Sequence, residues 1–224
     1  MYTLSEIIDT MMKKGYVVYN QPYRLNVVGI RTNNPTSLTF DDYIAYFYYD
    51  DKGKVIGKVA PATTDPSVQY LKNPLPEVQD LGTAILKSGQ YLDAYKIGLH
   101  KGKYTALVQT KPITVIRDND RNSLLNLFAK TTTGNYGINI HKASGNSNYI
   151  GPDSAGCQVF RNVSDFNQMM SLAQISKGKY GNNFTYTLLD EMDDLKYKRN
   201  IGLVIGGVAL VFGFGYLAYK KFRK

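Results

Sequence analysis

The chain has 224 residues, a formal net charge of +9 and 43% hydrophobic residues, enough for one sizeable domain with an appendage. A single cysteine excludes an intrachain disulfide framework. One cysteine and two histidines, without CxxC or HExxH spacing, are too few ligands for a zinc site. Neither a metal nor another cofactor is therefore expected. The positive charge favours an anionic neighbour, but no nucleic-acid-binding signature accompanies it, and nucleic acid is therefore not an expected partner.

The first segment, residues 1–17, is expected to form a short amphipathic helix. Leu4, Ile7, Ile8 and Met11 fall at helical spacing and share one face. The segment lacks the basic stretch followed by a continuous apolar run that is typical of a secretory signal peptide.

Residues 18–190 are expected to form a β-rich domain with a few short helices. Runs rich in Val, Ile, Thr and Tyr are separated by Gly, Pro, Asn or Asp, which is the pattern of strands and turns. One helix is expected over 163–176, with Ser164 as its N-cap and with Phe166 and Met169 on its apolar face. The predicted strand segments are 17–32, 37–50, 54–64, 95–102, 104–118 and 135–142.

The C-terminal segment 201–219 carries no charge and is expected to be a transmembrane helix. At about 1.5 Å per residue such a helix spans roughly 28 Å, close to the hydrocarbon thickness of a bilayer. A charged hinge, 191–200, precedes it and a basic tail, 220–224, follows it. Glycines at GxxxG spacing within this segment would allow two such helices to form a dimer. The alternative to a transmembrane helix is a helix buried in the protein core. The expected fold class is thus mainly β plus one C-terminal transmembrane helix, in a single-pass, tail-anchored protein.

The segment 138–160 brings together the candidates for nucleophilic chemistry. His141 ends an alternating strand and Cys157 begins the next apolar run, so two adjacent strands are expected to bring imidazole and thiol together. The histidine would activate the thiol, and the amides of Gly156 and Cys157 would face a developing oxyanion. In the alternative interpretation, the cysteine is a small buried hydrophobe beside a surface histidine.

Two further residues are candidates for substrate binding. Arg161, four positions after the cysteine, either holds a substrate carboxylate bidentately or lies on the solvent side. His100 either lines the cleft or is a half-exposed strand histidine.

The arrangement of a histidine in the context IxIH, a loop and the sequence SxGC resembles the catalytic signature of the L,D-transpeptidases, the YkuD-like family. The resemblance implies a β-rich catalytic domain whose cysteine takes the acyl group of a peptidoglycan stem peptide as a thioester and passes it to an amine or to water. Lys142 departs from the glycine usual in that family, and this departure leaves the choice of acceptor open. The matching residues are His141, Ser154, Gly156 and Cys157.

The expected function is accordingly a membrane-anchored cysteine acyltransferase or peptidase acting on peptidoglycan. Similar SAGCQV sequences occur in phage-encoded proteins, and a membrane-containing phage would deliver such a domain to the cell wall. The expected location is a virion membrane or the bacterial inner membrane, with peptidoglycan, the lipid bilayer and other virion membrane or capsid proteins as partners. The alternative is a non-enzymatic, membrane-anchored virion structural protein that retains the fold.

Overall fold

A closed barrel of eight strands forms the body of the protein in the computed structural model, which describes residues 2–191. Within these residues there are three α-helices, namely α1 (Leu4–Lys13), α2 (Val68–Lys72) and α3 (Val163–Tyr180), with 3-10 turns at Pro76–Val78 and Gly151–Asp153. The strands are β1 (Asn26–Arg31), β2 (Asp42–Tyr49), β3 (Val55–Thr63), β4 (Thr83–Leu86), β5 (Gly89–His100), β6 (Tyr104–Gln109), β7 (Ile113–Asp118), β8 (Thr131–Gly134), β9 (Ile140–Lys142), β10 (Gln158–Phe160) and β11 (Phe184–Asp190).

The order of strands around the barrel is β1, β11, β5, β6, β9, β10, β3 and β2. Two of the pairs, β1 with β11 and β9 with β10, are parallel, and the others are antiparallel. Parallel neighbours require a connection that crosses over, so the loop between β9 and β10 is long and leaves the sheet before it returns.

Strand β1 has all six residues buried because both of its faces are covered. Val27 packs in the core inside the barrel, whereas Val28 and Ile30 pack outward with residues of α1. Successive side chains of a strand point to opposite faces, so an unbroken apolar run is what a strand between two packed layers requires.

Helix α1 covers the outer face of β1, β2 and β11. Ile7 and Met11 are fully buried there against residues such as Phe47. The helix begins with a capping box in which Thr3 Oγ1 accepts a hydrogen bond from the Glu6 amide (3.2 Å) and the Glu6 carboxylate accepts one from the Thr3 amide (2.8 Å). The helix thus lies within the segment 1–17 that the apolar spacing predicts to be helical.

The strands β4, β7 and β8 form a separate three-stranded sheet beside the barrel. Leu86 and Val115 face the main core, while Ile85 and Ile116 face the other way and pack with Leu71 of α2. This sheet therefore extends the apolar core beyond the barrel and forms a wall next to the loop that carries Cys157.

Helix α3 packs its apolar residues against the core of the barrel. Phe166 and Met169 belong to that core, and the Phe166 ring contacts the rings of Tyr104 and Phe160. The helix begins at Val163 with Asn162 in the N-cap position. Ser164 therefore lies in the first turn and is not the N-cap, which corrects the predicted start of this helix.

The predicted strand segments are correct in part. The stretch 17–25 is irregular, and the segment 104–118 is two strands because Pro112 and its neighbours form the turn between β6 and β7. The strand expected to begin at Cys157 corresponds to β10, whereas β4, β8 and β11 were not predicted. Of these, β4 and β8 are only four residues long and carry little periodic signal.

The expected fold class, mainly β with a C-terminal transmembrane helix, has to be corrected. The mainly β part agrees with the barrel, but none of the helices within residues 2–191 has the length and apolar character needed to cross a membrane. The longest described helix, α3, carries charged residues such as Asp165, Lys177 and Lys179 and is amphipathic in its packing. The segment 201–219, on which the transmembrane prediction was based, lies outside the described residues.

Candidate functional site

Cys157 lies at the end of the long loop between β9 and β10, immediately before Gln158, and is partly exposed. Its Sγ accepts a hydrogen bond from the Asn139 amide at 3.4 Å and faces the Gly137 carbonyl oxygen at 3.6 Å. The register of the parallel pair, with the Gln158 amide donating to the Asn139 carbonyl (2.9 Å), puts the cysteine beside Asn139. The cysteine is thus held against the segment that leads into β9.

His141 is a buried residue of β9, and its ring nitrogens have distinct roles. Nδ1 lies 2.8 Å from the carbonyl oxygen of Lys142 and 3.2 Å from the hydroxyl of Tyr104. A carbonyl oxygen only accepts hydrogen bonds, so Nδ1 carries the proton and Nε2 carries the lone pair. Within residues 2–191, Nε2 is buried without a hydrogen-bond partner. In the neutral ring, Nε2 is therefore an acceptor nitrogen without a hydrogen-bond partner.

The pKa of His141 is lowered to about 4, first by burial and then by the neighbouring His100. At pH 7 the ring is therefore neutral and holds a lone pair, but its low pKa makes it a weaker base than an ordinary histidine. Burial raises the pKa of the Cys157 thiol above its ordinary value, and the Asn139 amide and Lys101 act in the opposite direction. At neutral pH the pair is therefore a thiol and a neutral imidazole, not a thiolate–imidazolium ion pair.

No hydrogen bond joins Cys157 Sγ to His141 among the described residues. Asn139, beside the cysteine, precedes His141 by two positions, and two residues correspond to about 7 Å along a strand. Val159, the β10 residue that pairs with His141, packs in the same apolar cluster as Cys157. The thiol and the imidazole therefore occupy one face of the β9–β10 pair, staggered along it.

His100, at the end of β5, stacks on His141 and is itself buried. Its Nδ1 lies 3.0 Å from Asn139 Nδ2. The Gln109 amide donates to Asn139 Oδ1 (2.9 Å), so the Asn139 amide group must direct its nitrogen to His100. His100 Nδ1 is then the acceptor and its proton resides on Nε2. His100 was expected either to line the cleft or to lie half-exposed on a strand. In the structure it is buried next to His141.

Ser154 and Gly156 shape the turn in front of the thiol. Ser154 is fully buried, and its Oγ lies 2.8 Å from the carbonyl oxygens of Asp65 and Cys157 while accepting from the Gly156 amide at 3.2 Å. Gly156 has φ +126°, and a Cβ there would lie 2.4 Å from the Ala84 carbonyl oxygen. The Gly156 amide, expected to face an oxyanion, is thus already used within the turn.

Arg161 lies just beyond the end of β10, four residues after the cysteine, which corresponds to roughly 13 Å in an extended strand. Its guanidinium donates to the side chain of Asn148, and its amide donates to the Pro61 carbonyl (3.0 Å). The structure brings together His141, His100 and the SxGC turn, but Arg161 lies apart from them.

Two residues of this region were not singled out from the sequence. Asn139 contacts both the thiol and His100, and Gln109 ties the incoming chain to β6 by accepting from the amides of Tyr136 and Ile138 (3.0 and 3.1 Å). The alternation in Asn139–Ile140–His141 is the signal that could have identified Asn139, since it predicts a common face for the first and third residues. Nothing near Gln109 in the sequence indicates its role.

In the part of the chain that the structure describes, no group of three His, Cys, Asp or Glu side chains could hold a metal ion. No family model, curated protein or solved structure matches this chain. The likeness to the L,D-transpeptidases therefore rests on the motif residues alone.

Proposed function

We propose that this protein is a cysteine acyltransferase or peptidase that acts on peptidoglycan stem peptides through a thioester at Cys157. The choice of peptidoglycan rests on the sequence resemblance to L,D-transpeptidases. The chemistry rests on the side chains around the thiol, and these support it independently of the resemblance.

The observation that carries the proposal is the state of His141. Its Nδ1 proton is held by the Lys142 carbonyl, which leaves the Nε2 lone pair without a partner in the described part of the chain. Leaving a buried polar atom unpaired costs free energy, on the order of 1–3 kcal/mol, and such atoms are rare in folded proteins. Nε2 is thus a free proton acceptor on the face that also carries a partly exposed cysteine. Because its pKa is about 4 and that of the thiol is raised, the mechanism requires the pKa of His141 to rise in the substrate complex.

The reaction then proceeds by general base catalysis. Nε2 takes the thiol proton as Sγ forms a bond to the carbonyl carbon of the stem peptide. The C–N bond breaks, and the same proton passes from the imidazolium to the departing amine. An amine or water then attacks the thioester, His141 removes the proton of this nucleophile, and the thiol is regenerated.

This mechanism requires the thiol and Nε2 to come together when substrate binds. Hydrogen bonds between catalytic groups are often long in the absence of substrate and tighten in the complex. This movement includes rotation of the Cys157 side chain away from the Gly137 carbonyl oxygen, which its sulfur faces in the free protein.

A second candidate is a non-enzymatic structural protein that retains this fold. The observation in its favour is the raised pKa of the Cys157 thiol together with the absence of a Cys157–His141 hydrogen bond within residues 2–191. In that case the cysteine is a small apolar side chain packed with Phe40 and Val159.

Incubation of the full-length protein with purified muropeptides, followed by mass spectrometry of the products, distinguishes the two candidates. Cys157→Ala should reduce product formation by at least about 10³-fold, and His141→Ala by about 10²–10⁴-fold. Ser144→Ala, on an exposed residue of the same loop, serves as the control and should retain activity. Equal product formation by the wild-type and Cys157→Ala proteins would exclude the thioester mechanism, and no products from any of them would favour the structural role.

A further inference from the structure

A cavity of about 250 Å³ lies beside the loop that carries Cys157. It is enclosed by the three-stranded sheet on one side and by the chain leading into β9 on the other. The lining residues that matter here are Tyr70, Arg117, Asn135, Tyr136, Ile138 and Ala155. At about 30 Å³ per water molecule the volume corresponds to roughly eight waters, so the cavity has room for a group of the size of an amino acid.

The cavity lies next to the backbone segment that contacts the thiol. Cys157 Sγ lies 3.6 Å from the Gly137 carbonyl oxygen, and both neighbours of Gly137, Tyr136 and Ile138, line the cavity. Ala155, two residues before the cysteine, lines it as well. A molecule whose reacting carbonyl lies at the thiol can therefore extend directly into this cavity.

Arg117 of β7 is the charged residue of the cavity. It is 8% exposed, and no carboxylate lies within ion-pair distance of it among residues 2–191. Its Nε donates to Thr132 Oγ1 (2.9 Å), Nη1 makes a long contact with the Gly82 carbonyl (3.5 Å), and its guanidinium lies over the Tyr136 ring, 4.5 Å from the centroid. Three of the five N–H donors of the guanidinium remain for a ligand.

A buried guanidinium without a counter-ion is costly in free energy and is usually paired. Arg31, a second arginine that is buried in the described part of the chain, illustrates the usual arrangement, because its Nε lies 2.6 Å from Asp65 Oδ1. The bond to Thr132 and the Tyr136 ring hold the Arg117 guanidinium in place, so it presents a fixed positive charge to the cavity. A carboxylate fits this site best, since it accepts two parallel hydrogen bonds from a guanidinium.

We infer that this cavity binds the free carboxylate of an amino acid or peptide, with Arg117 as the residue that recognises it. This inference deepens the proposed function, on which it rests, by assigning a carboxylate-bearing class of substrate to the site. The ring of Tyr136 supports the guanidinium, and the apolar Ile138 and Ala155 contact the body of the ligand.

The test is a binding measurement that does not depend on catalysis. Full-length Cys157→Ala protein is titrated with the L and D forms of N-acetylalanine and with their primary amides, and the backbone amide resonances of Ile138 and Ala155 are followed by NMR. At least one of the acids should bind ten-fold or more tightly than its amide and should shift these resonances. Adding Arg117→Gln should abolish this difference, and Arg117→Lys should retain part of it.

Arg121→Gln, on an exposed arginine that lies outside the cavity, is the matched control and should leave the preference for the acid unchanged. If acids and amides bind equally, or if the Arg117→Gln protein remains folded and still prefers the acid, the carboxylate site is wrong even if thioester chemistry is found. If the acid is preferred and Cys157 forms no thioester, the proposed function fails and the carboxylate site remains.

Discussion

The imidazole rings of His100 and His141 stack on each other, with their centroids 4.1 Å apart and their planes inclined by 24°. Two positive charges at this distance in a buried site repel each other strongly, so protonation of one ring disfavours protonation of the other. Burial and this proximity lower the pKa of His141 to about 4, and burial lowers that of His100 too. Burial, together with the stack, thereby keeps His141 neutral at pH 7.

The first prediction concerns the titration of His141. In an NMR titration of the imidazole C–H resonances, His141 should show a pKa near 4, well below the value of about 6.5 for a free histidine. His100→Phe keeps an aromatic ring in the stack but removes the second charge, so the pKa of His141 should rise. It should remain below 6.5, because burial is the larger cause. An unchanged or lower pKa in His100→Phe would mean that the two rings are not electrostatically coupled.

The second prediction concerns stability against pH. Because folding lowers the pKa of His141, the unfolded chain binds a proton below pH 6.5 that the folded chain binds only near pH 4. The contribution of His141 to the free energy of unfolding is therefore complete above pH 6.5 and is lost as the pH falls to 4, by on the order of 3 kcal/mol.

The difference in free energy of unfolding between the wild type and His141→Gln isolates this effect, since other titrating groups are common to both. In urea denaturation at pH 7, 5.5 and 4, the free energy of unfolding of the wild type should fall steadily relative to that of the variant as the pH falls. A difference that stays constant over this range would show that His141 titrates alike in the folded and unfolded states.

The third prediction concerns Gly156. A side chain at this position requires an unfavourable φ of +126° and brings Cβ to 2.4 Å from the Ala84 carbonyl oxygen. Gly156→Ala should therefore lower the free energy of unfolding by at least about 3 kcal/mol. Gly145→Ala, in the same loop, meets no atom within 4 Å and should change stability by less than about 0.5 kcal/mol. Similar denaturation midpoints for the two variants would contradict the described turn.

The fourth prediction concerns Ser154. Replacing it by alanine removes the Oγ that accepts from the buried Gly156 amide and that donates to a carbonyl oxygen of Asp65 or Cys157. Ser154→Ala should cost about 1–3 kcal/mol in thermal or chemical denaturation, and the exposed Ser144→Ala should cost much less. Because Ser154 supports the turn and has no contact with Sγ, residual activity should track the folded fraction. Complete loss of activity in a fully folded variant would assign Ser154 a direct chemical role.

Local patterns in the sequence predicted much of the barrel, because most of its strands are long enough to show alternation. The strands around Ile44, Ile97 and Leu107 are examples, and the apolar face of α1 was predicted in the same way from its helical spacing. The three-residue strands β9 and β10 are defined by their parallel pairing with each other, which no local pattern encodes. The sequence nevertheless indicated that His141 and Cys157 belong to one region, since histidine and cysteine are rare in this chain and each of these residues stands at one end of an apolar run.

The remainder of the site depends on contacts between distant segments. The stack of His100 on His141 joins β5 to β9. Arg117 lines the same cavity as Ala155 of the cysteine loop because the three-stranded sheet packs beside the barrel. Arg161 was one candidate for carboxylate binding because it is near Cys157 in sequence, whereas the extended strand between them separates the two in space. The turn that carries Cys157 could be found from residues close together in the sequence. That Arg117, rather than Arg161, lies near this turn depends on tertiary packing.

The most direct test of the central claim is to trap the acyl-enzyme. The full-length protein is mixed with purified muropeptides, quenched in acid after seconds to minutes, and analysed by intact-mass and peptide-mapping mass spectrometry. The account predicts an added mass equal to the acyl portion of a stem peptide, located on Cys157, removed by hydroxylamine and absent from Cys157→Ala. Product formation without any adduct on Cys157, at equal rates in the wild-type and Cys157→Ala proteins, would contradict it.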